Sequence, residues 1–462
     1  MKNFKVGCVL LAAGKGTRMK SETPKVLFDI CGKPMIVHLL DTVIKVKEFE
    51  KIYIVIGYKA DEVKNKILSL YDHKILNKVI FVKQDEQKGS GDALLKVKRY
   101  SEKMNCLAVI SADVPLISEA TIKMLVESHL KEKVECTVLT TTMDNPYGYG
   151  RIIRDISKKF IEIVEEVDAN DSQKKIKEIN TGIYVFSLPV LWKALSKIKP
   201  DNKKKEYYLT DAVKYLTTKN ALLCSNSDEL KGVNTKEDLT EIIDIVRKRI
   251  IKKLLLDGVN IHSPDTIYID LNTKILQDTE IFQGSTICNS EIKSFCKIGP
   301  FSYIDTSRIE NNTHILYSYI VNTQIGNNCK IGPFSKILDT KICNNVIIGN
   351  FAEVIRSVIS DNVKIKHHSY IGDTEIENKV NIGAGVITCN YDGVRKNKTY
   401  IGQNTFVGSN VNLVAPIKIG KNVLIAAGST ITKDVPDNTL AIARTKEIFK
   451  QNHPIIKNLV GK

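Results

Sequence analysis

The spacing of apolar residues divides the chain into two regions with different periods. In the first half, short apolar runs without polar alternation are separated by longer stretches with helical spacing. Such runs are typical of parallel strands buried on both faces, and their alternation with helices favours a largely parallel sheet with helices on both faces. The predicted strands are Val6–Leu11, Ile52–Ile56, Val79–Val82, Leu107–Ser111 and Thr137–Thr142. The predicted helices are Met35–Lys47, Glu62–Leu70, Ala93–Tyr100 and Glu119–Leu130.

One long amphipathic helix is predicted over residues 235–257. Thr235 and Asp238 have the spacing of a capping box, and Gly258 favours a stop. Its apolar face is formed by Leu239, Ile242, Ile243, Val246, Ile250 and Leu254. We expect this helix to be a rigid connector. The predicted organisation is an N-terminal domain over 1–232, a linker helix over 233–258 and a C-terminal domain over 259–462.

Beyond residue 260, small apolar residues recur every six positions. The clearest run is Ile401, Val407, Leu413, Ile419, Ile425 and Ile431, each followed by Gly, Ala, Val or Thr. A six-residue period predicts a parallel β-helix, in which stacked coils share one aliphatic column. A β-sandwich would show alternation and turns at intervals of about eight to twelve residues, which does not explain this run. The polar interruption at Asn390–Thr399 is typical of a binding loop or an oligomer contact.

Composition narrows the classes of function. The 462 residues suffice for two or three domains, and no apolar stretch approaches the length of a membrane span. Ten scattered cysteines without a CxxC pair suit a reducing cytoplasm and argue against a disulfide framework or a zinc cluster. The net charge of +16 comes from 68 basic and 52 acidic residues that are spread rather than blocked. We therefore expect small anionic substrates, with no nucleic-acid partner and no membrane.

A small, glycine-rich turn over residues 12–16 ends the first predicted strand. Such a turn lets backbone N–H groups approach an anion, and Lys15, Arg18 and Lys25 add positive charge. We expect it to bind a phosphorylated ligand. Asp113 follows another predicted strand at the same edge of the sheet, and its carboxylate is a candidate ligand for Mg²⁺. The alternatives are an ordinary glycine turn, or a signal peptide, although cations occupy the place of a cleavage site. The spacing is not that of a Walker loop.

Motifs in both halves resemble one enzyme family. The first is Leu11-Ala12-Ala13-Gly14-Lys15-Gly16-Thr17-Arg18-Met19 with Pro24-Lys25-Val26, which resembles the signature of sugar-phosphate nucleotidylyltransferases. The others are His367-x-Ser369-Tyr370, Asn381-Ile382-Gly383-Ala384-Gly385, Thr388-Cys389-Asn390-Tyr391-Asp392-Gly393 and Ala441-Ile442-Ala443-Arg444. Together they are similar to the GlmU family of bifunctional N-acetylglucosamine-1-phosphate uridyltransferases/glucosamine-1-phosphate acetyltransferases. The resemblance covers nearly the whole chain in the same domain order.

The resemblance implies a fold and two reactions. The fold is a Rossmann-like α/β nucleotidyltransferase domain joined by the helix to a left-handed parallel β-helix of hexapeptide repeats. Acetyl-CoA would acetylate glucosamine 1-phosphate, and UTP would then react with N-acetylglucosamine 1-phosphate to give UDP-N-acetylglucosamine and pyrophosphate. The family also implies Mg²⁺, a cytoplasmic homotrimer with acyl-CoA sites between subunits, and a place in peptidoglycan and lipopolysaccharide synthesis, cell-wall biogenesis and cell shape.

For uridylyl transfer, the resemblance implies that Lys25 and Arg18 are catalytic cations and that Asp113 and Asn234 bind the metal. The implied nucleotide and sugar contacts are Leu11, Ala12, Ala13, Gly14, Lys25, Gln84, Gln87, Gly89, Ser90, Gly150, Glu165, Asn180, Thr181 and Asn234. Without the resemblance, Asp113 would be interpreted as a helix cap before Pro115, and Asn234 as a cap or turn residue.

For acetyl transfer, the resemblance implies that His367 is the base that deprotonates the amine. His368 is not matched, and along a strand it would point to the opposite face. The implied contacts of the acceptor and of acetyl-CoA are Tyr370, Asn381, Ala384, Asn390, Tyr391, Ser409, Ala427 and Arg444. Ser409 is expected near the thioester oxygen, and Lys396 near ligand or a neighbouring subunit.

The chain departs from the family pattern at several positions. Ser111-Ala112-Asp113 replaces Tyr-Gly-Asp, and Asp92 replaces a common His. In the acceptor-phosphate segment, Leu338 and Ile355 stand in place of basic residues. Lys336 and Arg356 are candidate substitutes, and the loss of this phosphate clamp would raise the KM of the acceptor or abolish its acetylation.

Two other functions stay open at this point. A uridylyltransferase whose β-helix serves only assembly would explain the altered acceptor segment, although the retained His367 and Asn390 oppose it. A non-catalytic binding protein is the third hypothesis, because some exchange-factor subunits of eukaryotic translation initiation have a similar domain pair. The retained Arg18, Lys25 and Asp113 argue against it.

Overall fold

The computed structural model describes residues 4–203, 205–451 and 453–456. Its internal contacts divide the chain into two compact units, Met1–Val246 and Arg247–Lys462. The division falls within the long helix Lys236–Leu256. Residues 457–462, at the end of the expected C-terminal tail, lie outside the described part.

The first unit alternates strands and helices along the chain. Its strands are β1 Val6–Ala12, β2 Asp29–Ile30, β3 Lys33–Pro34, β4 Phe49–Ile56, β5 Val79–Lys83, β6 Cys106–Ser111, β7 Cys136–Thr142, β8 Arg151–Arg154, β9 Phe160–Val164, β10 Glu178–Ser187 and β11 Lys219–Leu223. Its helices are α1 Met35–Val43, α2 Ala60–Leu68, α3 His73–Leu76, α4 Ser90–Leu95, α5 Glu119–Glu132, α6 Asp171–Lys174, α7 Val190–Leu195 and α8 Leu209–Ala212, with α9 Lys236–Leu256 at its end.

The main sheet has the strand order β11-β7-β10-β6-β1-β4-β5. Strands β6, β1, β4 and β5 are parallel, as the unalternating apolar runs predicted. The sheet is not parallel throughout, because β10 lies between β6 and β7 and is antiparallel to both. Strands β8, β9 and β10 were not predicted, because their sequences mix polar and apolar residues and follow no single period.

The central strand β1 is buried because both faces of the sheet are covered. Leu10 packs in one apolar cluster with Ile54, whereas Val9 packs in the opposite cluster with Val55. This two-sided burial is the reason that the run lacks polar alternation. It also leaves the carboxyl ends of β1 and β6 side by side, since these strands are parallel neighbours.

Three predicted helices end earlier than expected. The helix predicted over Glu62–Leu70 is α2, which ends at Leu68. The helix that begins at Met35 ends at Val43, before tight turns that lead to β4. The predicted helix Ala93–Tyr100 is replaced by α4 and a short 3₁₀ turn at Lys98–Tyr100. The reason is local, because the backbone N–H of Val97 bonds to the carbonyl of Leu94, three residues earlier, and tightens the chain.

The second unit is a left-handed β-helix of stacked coils. The described strands form three parallel sheets of eleven, ten and nine members. The first contains Asn260–Ile261, Glu280–Ile281, Lys297–Ile298, His314–Ile315, Lys330–Ile331, Ile347–Ile348, Lys364–Ile365, Asn381–Ile382, Phe406–Val407, Leu424–Ile425 and Leu440–Ala441. The second contains Tyr268–Ile269, Thr286–Cys288, Tyr303–Asp305, Tyr319–Val321, Lys336–Leu338, Glu353–Ile355, Tyr370–Gly372, Ile387–Cys389, Asn412–Val414 and Thr430–Ile431. The third contains Lys274–Ile275, Glu291–Ile292, Arg308–Ile309, Gln324–Ile325, Lys341–Ile342, Val358–Ile359, Thr374–Ile376, Thr399–Ile401 and Ile417–Ile419.

The hexapeptide period places one aliphatic residue of each short strand in the core. Ile298, Ile315, Ile331, Ile348 and Ile365 are register partners in successive coils, and all are buried. The six residues of the Ile401–Ile431 run are buried as well, which confirms the predicted column. None of the helices in the described part of the chain has the length and apolarity needed to cross a membrane.

Candidate functional sites

The glycine-rich turn lies at the carboxyl end of β1. Ala12 and Ala13 are buried, whereas Gly14 is exposed and has no neighbouring atom within 4 Å of the place where a Cβ would stand. Gly16 has φ 63°, and a Cβ there would lie 2.7 Å from the Cβ of Lys25. A side chain at residue 16 would therefore be strained and would displace Lys25. The turn offers open backbone next to a cation, as the sequence predicted.

Four predicted residues converge beside this turn. Lys25 Nζ donates to Asp113 Oδ2 at 2.7 Å and lies 3.3 Å from Asn234 Oδ1. Arg18 Nη2 donates to the same Asn234 oxygen at 2.7 Å. Ser111 Oγ donates to Asp113 Oδ1 at 2.6 Å, so the serine that departs from the family pattern supports the carboxylate.

The Asp113 carboxyl stays ionised in this cluster. Burial would raise its pKa, but the positive charge and hydrogen bond of Lys25, together with the bond from Ser111, outweigh burial and lower the pKa. The Lys25 and Asp113 side chains are only 13% and 24% exposed. A partly buried carboxylate is thus held in its charged form at the strand edge.

The oxygens of Asp113 and Asn234 fit a divalent cation. Both face one positive group, the Lys25 ammonium, and Mg²⁺ commonly takes one or two protein oxygens and completes its shell with water and phosphate. In the described residues, no group of three or more His, Cys, Asp or Glu side chains could hold a metal ion. A metal site here would therefore rely on substrate phosphates for further ligands.

Asn234 is positioned by two neighbouring contacts. The backbone N–H of Val233 bonds to the carbonyl of Asp113 at 2.8 Å. At the start of α9, Asp238 Oδ2 accepts from the N–H groups of Asn234 and Thr235, and the Asp238 N–H donates to Thr235 Oγ1. This is the predicted capping box, and it fixes the segment that carries Asn234.

The predicted uracil segment surrounds the turn between β5 and α4. Gln84 is buried, and its amide donates to the carbonyl of Gly89 at 3.2 Å and to Asp92 Oδ2 at 2.8 Å. Asp92, the residue that departs from the family pattern, thus fixes the Gln84 amide. A Cβ on Gly89 would clash with the backbone of Tyr207, and Ser90 Oγ accepts from the Leu209 N–H at 3.0 Å.

Gln87 lies on the β1 side of this segment. Its Nε2 is within 3.0 Å of the place where a Cβ on Gly57 would stand, next to Ala13. The carbonyl of Leu11 accepts from the Ala112 N–H, which ties the first turn to the edge of β6.

The predicted sugar contacts cluster around β10. The Asn180 N–H donates to the carbonyl of Gly150 at 2.8 Å, and Glu165 Oε1 accepts from Thr210. The Asn180 amide donates to the Tyr184 hydroxyl, and its oxygen accepts from the Gly182 N–H. Thr181 is buried and donates to the carbonyl of Leu139. Gly150 and Asn180 are thus adjacent, whereas the Thr181 side chain faces the protein.

In the β-helix, His367 lies on an exposed corner. Its Nδ1 is 2.8 Å from Asn350 Oδ1, one coil earlier. His367 and His368 lie in a turn, so the expectation of opposite faces along a strand is wrong. His368 has φ 43°, and its ring stacks on Phe351 with centroids 4.9 Å apart.

The predicted acetyl-CoA residues lie in the same corner column as His367. Backbone bonds link the corners of successive coils, with carbonyls of His367, Ala384 and Ser409 accepting from the next coil. Ala427 follows, and its carbonyl accepts from Arg444 Nη1 at 3.1 Å. The structure thus brings five residues that are far apart in sequence into one line.

The predicted acceptor residues are only partly brought together. The amide Nδ2 of Asn390 donates to the Tyr370 hydroxyl at 3.4 Å. Asn381 lies on another sheet, paired with Lys364 and Phe406. Tyr391 is exposed in the loop that interrupts the repeat.

Both candidate substitutes for the missing phosphate clamp are paired with carboxylates. Lys336 Nζ lies 2.8 Å from Glu353 Oε1, and both side chains are exposed. Arg356 makes a bidentate pair with Asp373, with Nε and Nη2 each 2.8 Å from a carboxylate oxygen. The Asp373 carboxylate also accepts from the Asn390 amide.

Sequence reasoning missed Asn350, Asp373 and Tyr149. Asn350 lies 17 residues before His367, and Asp373 lies 17 residues after Arg356. Because 17 residues is the length of one coil, the coil spacing could have pointed to both. Tyr149 accepts a hydrogen bond from the Gly232 N–H at 3.1 Å, beside Asn234. No sequence spacing connects those two segments.

Two family models match the chain. The nucleotidyl transferase model matches residues 8–245. The model for bacterial transferase hexapeptide (six repeats) matches residues 322–356 and 398–433. These ranges fall on the α/β unit and on the β-helix.

Curated relatives match both units at once. The bifunctional protein GlmU of Thermosipho africanus is 43% identical and covers 95% of each chain. The same protein of Clostridioides difficile is 41% identical over 99% of this chain and 98% of its own. That of Carboxydothermus hydrogenoformans is 40% identical over 96% and 99%. A solved UDP-glucose pyrophosphorylase complexed with UDP-glucose matches 53% of this chain and 99% of its own at 23% identity, but its TM-score of 0.43 is too low to add to the argument.

Proposed function

The chain belongs to the GlmU family of bifunctional transferases, and from this premise we propose how its two sites act. It is an enzyme with glucosamine-1-phosphate N-acetyltransferase and UDP-N-acetylglucosamine pyrophosphorylase activities. The observation that supports the proposal best is that one chain holds two separate clusters of suitable chemistry. One is the Lys25–Asp113–Arg18–Asn234 group, and the other is the His367 corner column.

In the first site, a sugar-phosphate oxygen attacks the α-phosphorus of UTP and pyrophosphate leaves. This reaction needs no covalent nucleophile, because positioning and charge neutralisation supply the catalysis. The turn at Gly14 cradles phosphate oxygens with its backbone N–H groups. Lys25 and Arg18 neutralise charge that develops on the transferring group. The segments of Gln84 and Gly150 hold the base and the sugar.

Asp113 and Asn234 would hold the metal of this site, for which we propose Mg²⁺. When bound, it would neutralise phosphate charge and orient the triphosphate. The Asp113 carboxylate is ready for this role because Lys25 and Ser111 keep it ionised. When substrate is bound, a phosphate oxygen would replace the Asp113 carboxylate as the partner of the Lys25 ammonium.

In the second site, the amine of glucosamine 1-phosphate attacks the thioester carbonyl of acetyl-CoA and coenzyme A leaves as the thiol. His367 accepts the proton of the amine. Because its Nδ1 faces the carbonyl oxygen of the Asn350 amide, Nδ1 carries the hydrogen and Nε2 keeps the lone pair. Asn350 is therefore a positioning residue. The corners at Ala384, Ser409 and Ala427 form a track for the CoA arm, with Arg444 at its end.

We further propose a cytoplasmic homotrimer that acts in cell-wall precursor synthesis, as the family resemblance implies. The rings of Phe301, Tyr317, Phe334 and Phe351 stack along one corner and are 39–60% exposed, an apolar edge that a neighbouring copy would cover. All ten cysteines are free, which suits a reducing compartment. Light scattering that shows a stable monomer would contradict the trimer.

A coupled assay tests the assignment of the two sites. Purified protein receives glucosamine 1-phosphate, acetyl-CoA, UTP and Mg²⁺, and free thiol and pyrophosphate are followed separately. We expect Asp113→Ala to abolish pyrophosphate release and keep thiol release, because its carboxylate serves only the first reaction. We expect His367→Ala to abolish thiol release and, because no N-acetylglucosamine 1-phosphate is then formed, pyrophosphate release as well. Added N-acetylglucosamine 1-phosphate should restore pyrophosphate release without thiol release.

The matched control is Lys33→Ala, which removes a partly exposed lysine paired with Asp41 in the same unit. It should leave both products unchanged. If Asp113→Ala released pyrophosphate at the parent rate, the first site would be wrongly placed. If His367→Ala released thiol at the parent rate, the base would lie elsewhere.

A further inference from the structure

We propose that Arg356 binds the phosphate group of the amino-sugar acceptor, and that Asp373 holds its guanidinium in the binding orientation. This inference rests on the proposed acetyl transfer and names the residue that recognises the substrate's charge. It concerns a position where this chain differs from its family, because Leu338 and Ile355 carry no charge.

Arg356 lies in a column of corner residues that includes proposed acceptor contacts. Arg356, Asp373 and Asn390 succeed one another at intervals of 17 residues. Arg356 and Asn390 both donate to the Asp373 carboxylate between them. Short side chains, Asn322 and Asp339, occupy the same corner in the two preceding coils and bond to each other. Arg356 therefore introduces a long cationic side chain into a line of amides and carboxylates.

The Arg356–Asp373 pair has a geometry that leaves part of the guanidinium available. Asp373 accepts from Nε and Nη2 of Arg356, so one edge of the planar guanidinium is fixed and Nη1 takes no part in this bidentate pair. An arginine buttressed in this way loses less freedom on binding an anion, and its remaining N–H groups suit a phosphate oxygen. The side chains are 34% and 16% exposed, so the pair lies at the surface but is partly shielded from water.

The residues around the Arg356–Asp373 pair include proposed acceptor contacts. The Asn390 amide donates to Asp373 Oδ2 and to the Tyr370 hydroxyl. Asn390 and Tyr370 are two of the proposed acceptor contacts. The pKa of Asp373 is lowered although burial alone would raise it. The causes are hydrogen bonds from Arg356 and from the Asn390 amide, together with the positive charges of Arg356 and Lys396. The charge of Lys396 thus adds to that of Arg356 near one carboxylate, which leaves positive charge for a phosphomonoester.

Lys336, the other candidate cation, is less well placed than Arg356. Lys336 is 50% exposed, and its ammonium pairs with Glu353 on the outer surface of the second sheet. Its register partners are Tyr319 and Glu353. It has no contact with Tyr370 or Asn390 among the hydrogen bonds and ion pairs of the described residues. Arg356 is therefore the better placed of the two.

The test compares two acceptors that differ only in the phosphate. Thiol release from acetyl-CoA is measured with glucosamine 1-phosphate and with glucosamine, for the parent and Arg356→Gln. We expect kcat/KM for glucosamine 1-phosphate to fall about 10- to 100-fold, the usual value of a charge-assisted hydrogen bond, while kcat/KM for glucosamine and KM for acetyl-CoA stay unchanged. Arg356→Lys should recover part of the loss, since it restores the charge without the fork.

Two further variants separate a binding role from a structural one. Asp373→Asn should raise KM for glucosamine 1-phosphate more than KM for glucosamine. It loosens the orientation of Arg356, whereas an amide oxygen can still accept from the Asn390 amide. Arg308→Gln, the matched control, removes an arginine paired with Glu291 and Glu310 elsewhere on the β-helix and should change neither acceptor.

Several outcomes would overturn the proposal. One is an equal loss for both acceptors in Arg356→Gln, which would indicate a structural role, and another is no loss for either. If the parent released no thiol with either acceptor, the proposed acetyl transfer itself would fail. Calorimetric titration with glucosamine 1-phosphate would then decide the matter, because equal affinity of the parent and Arg356→Gln would overturn the assignment on its own.

Discussion

Two histidines show how surroundings decide the chemistry of one side chain. His367 is exposed, and its Nδ1 lies 2.8 Å from the amide oxygen of Asn350, which leaves Nε2 free for the proposed role as a base. His129 is 2% exposed and lies between the hydroxyls of Thr137 and Ser187, at 3.1 and 3.0 Å. Burial lowers the pKa of His129 to about 4. The buried histidine is therefore neutral at physiological pH and serves the fold.

His129 makes the stability of the first unit depend on pH. Its pKa is 6.5 when unfolded and about 4 when folded, so protonation favours the unfolded chain. This contribution to the free energy of unfolding is complete above about pH 6.5 and is lost as the pH falls towards 4. Between about pH 7 and pH 5 the loss should be roughly 2 kcal/mol.

Urea unfolding followed by the fluorescence of Trp192, the single tryptophan, measures this loss. We expect His129→Gln to remove most of the difference between the two pH values. His73→Gln, which replaces an exposed histidine, should retain it. An unchanged pH dependence in His129→Gln would show that other groups cause the acid sensitivity.

At the scale of elements, both sites depend on segments that hold each other in place. In the β-helix the unit is the coil, and residues 17 apart meet, as in Asn350–His367 and Arg356–Asp373. In the first unit, the capped start of α9 carries Asn234, and the loop before β8 carries Tyr149 to the Gly232 N–H. The buried side chain of Arg151 forms an ion pair with Glu166. Glu166 in turn accepts a hydrogen bond from the Gly148 N–H in that loop.

The Tyr149 hydroxyl connects its own loop to the segment that is proposed to bind the metal, so its loss should affect catalysis. We expect Tyr149→Phe to lower kcat for pyrophosphate release about 10-fold, because losing one hydrogen bond at this junction costs about 1.4 kcal/mol. The Mg²⁺ concentration for half-maximal activity should rise, since Asn234 becomes less well positioned.

Tyr147→Phe is the matched control, because Tyr147 lies two residues earlier in the same loop and is 78% exposed. It should leave kcat and the Mg²⁺ requirement unchanged. A Tyr149→Phe enzyme with the parent Mg²⁺ requirement and the parent kcat would show that this contact is only structural.

At the scale of the whole molecule, each unit has apolar cores of its own. The clusters of the α/β unit lie within residues 6–230, and the cluster of the β-helix lies within residues 251–435. In the described part of the chain, no apolar cluster includes residues from both ranges. We therefore expect each unit to unfold in a cooperative transition of its own.

Two core substitutions test this independence. Ile348→Ala should destabilise the β-helix by about 2–5 kcal/mol, because it opens a cavity in a fully buried column. Leu107→Ala should do the same to the α/β unit, since Leu107 packs in the cluster that contains Trp192. We expect Trp192 fluorescence to report only the Leu107→Ala change, whereas circular dichroism reports both. A shift of the fluorescence transition by Ile348→Ala would contradict independent units.

The sequence by itself determined the period of each unit and the residue types at the turns. The unalternating runs predicted β1, β4, β5, β6 and β7, and the six-residue repeat predicted the aliphatic column of the β-helix. The capping box fixed the start of α9. These features are local, because backbone periodicity and capping depend on residues that are close along the chain.

Only the tertiary structure decided which distant side chains meet. Three contacts join segments that are separated by dozens to hundreds of residues. They are the antiparallel pairing of β10 with β6, the convergence of Asp113 and Asn234 on Lys25, and the hydrogen bond of Tyr149 with Gly232. The pairing of Arg356 with Asp373 follows from coil length, which varies where loops such as Asn390–Thr399 interrupt the repeat. Local sequence patterns do not encode these contacts, because they arise when whole elements pack and bring strand ends and corners together.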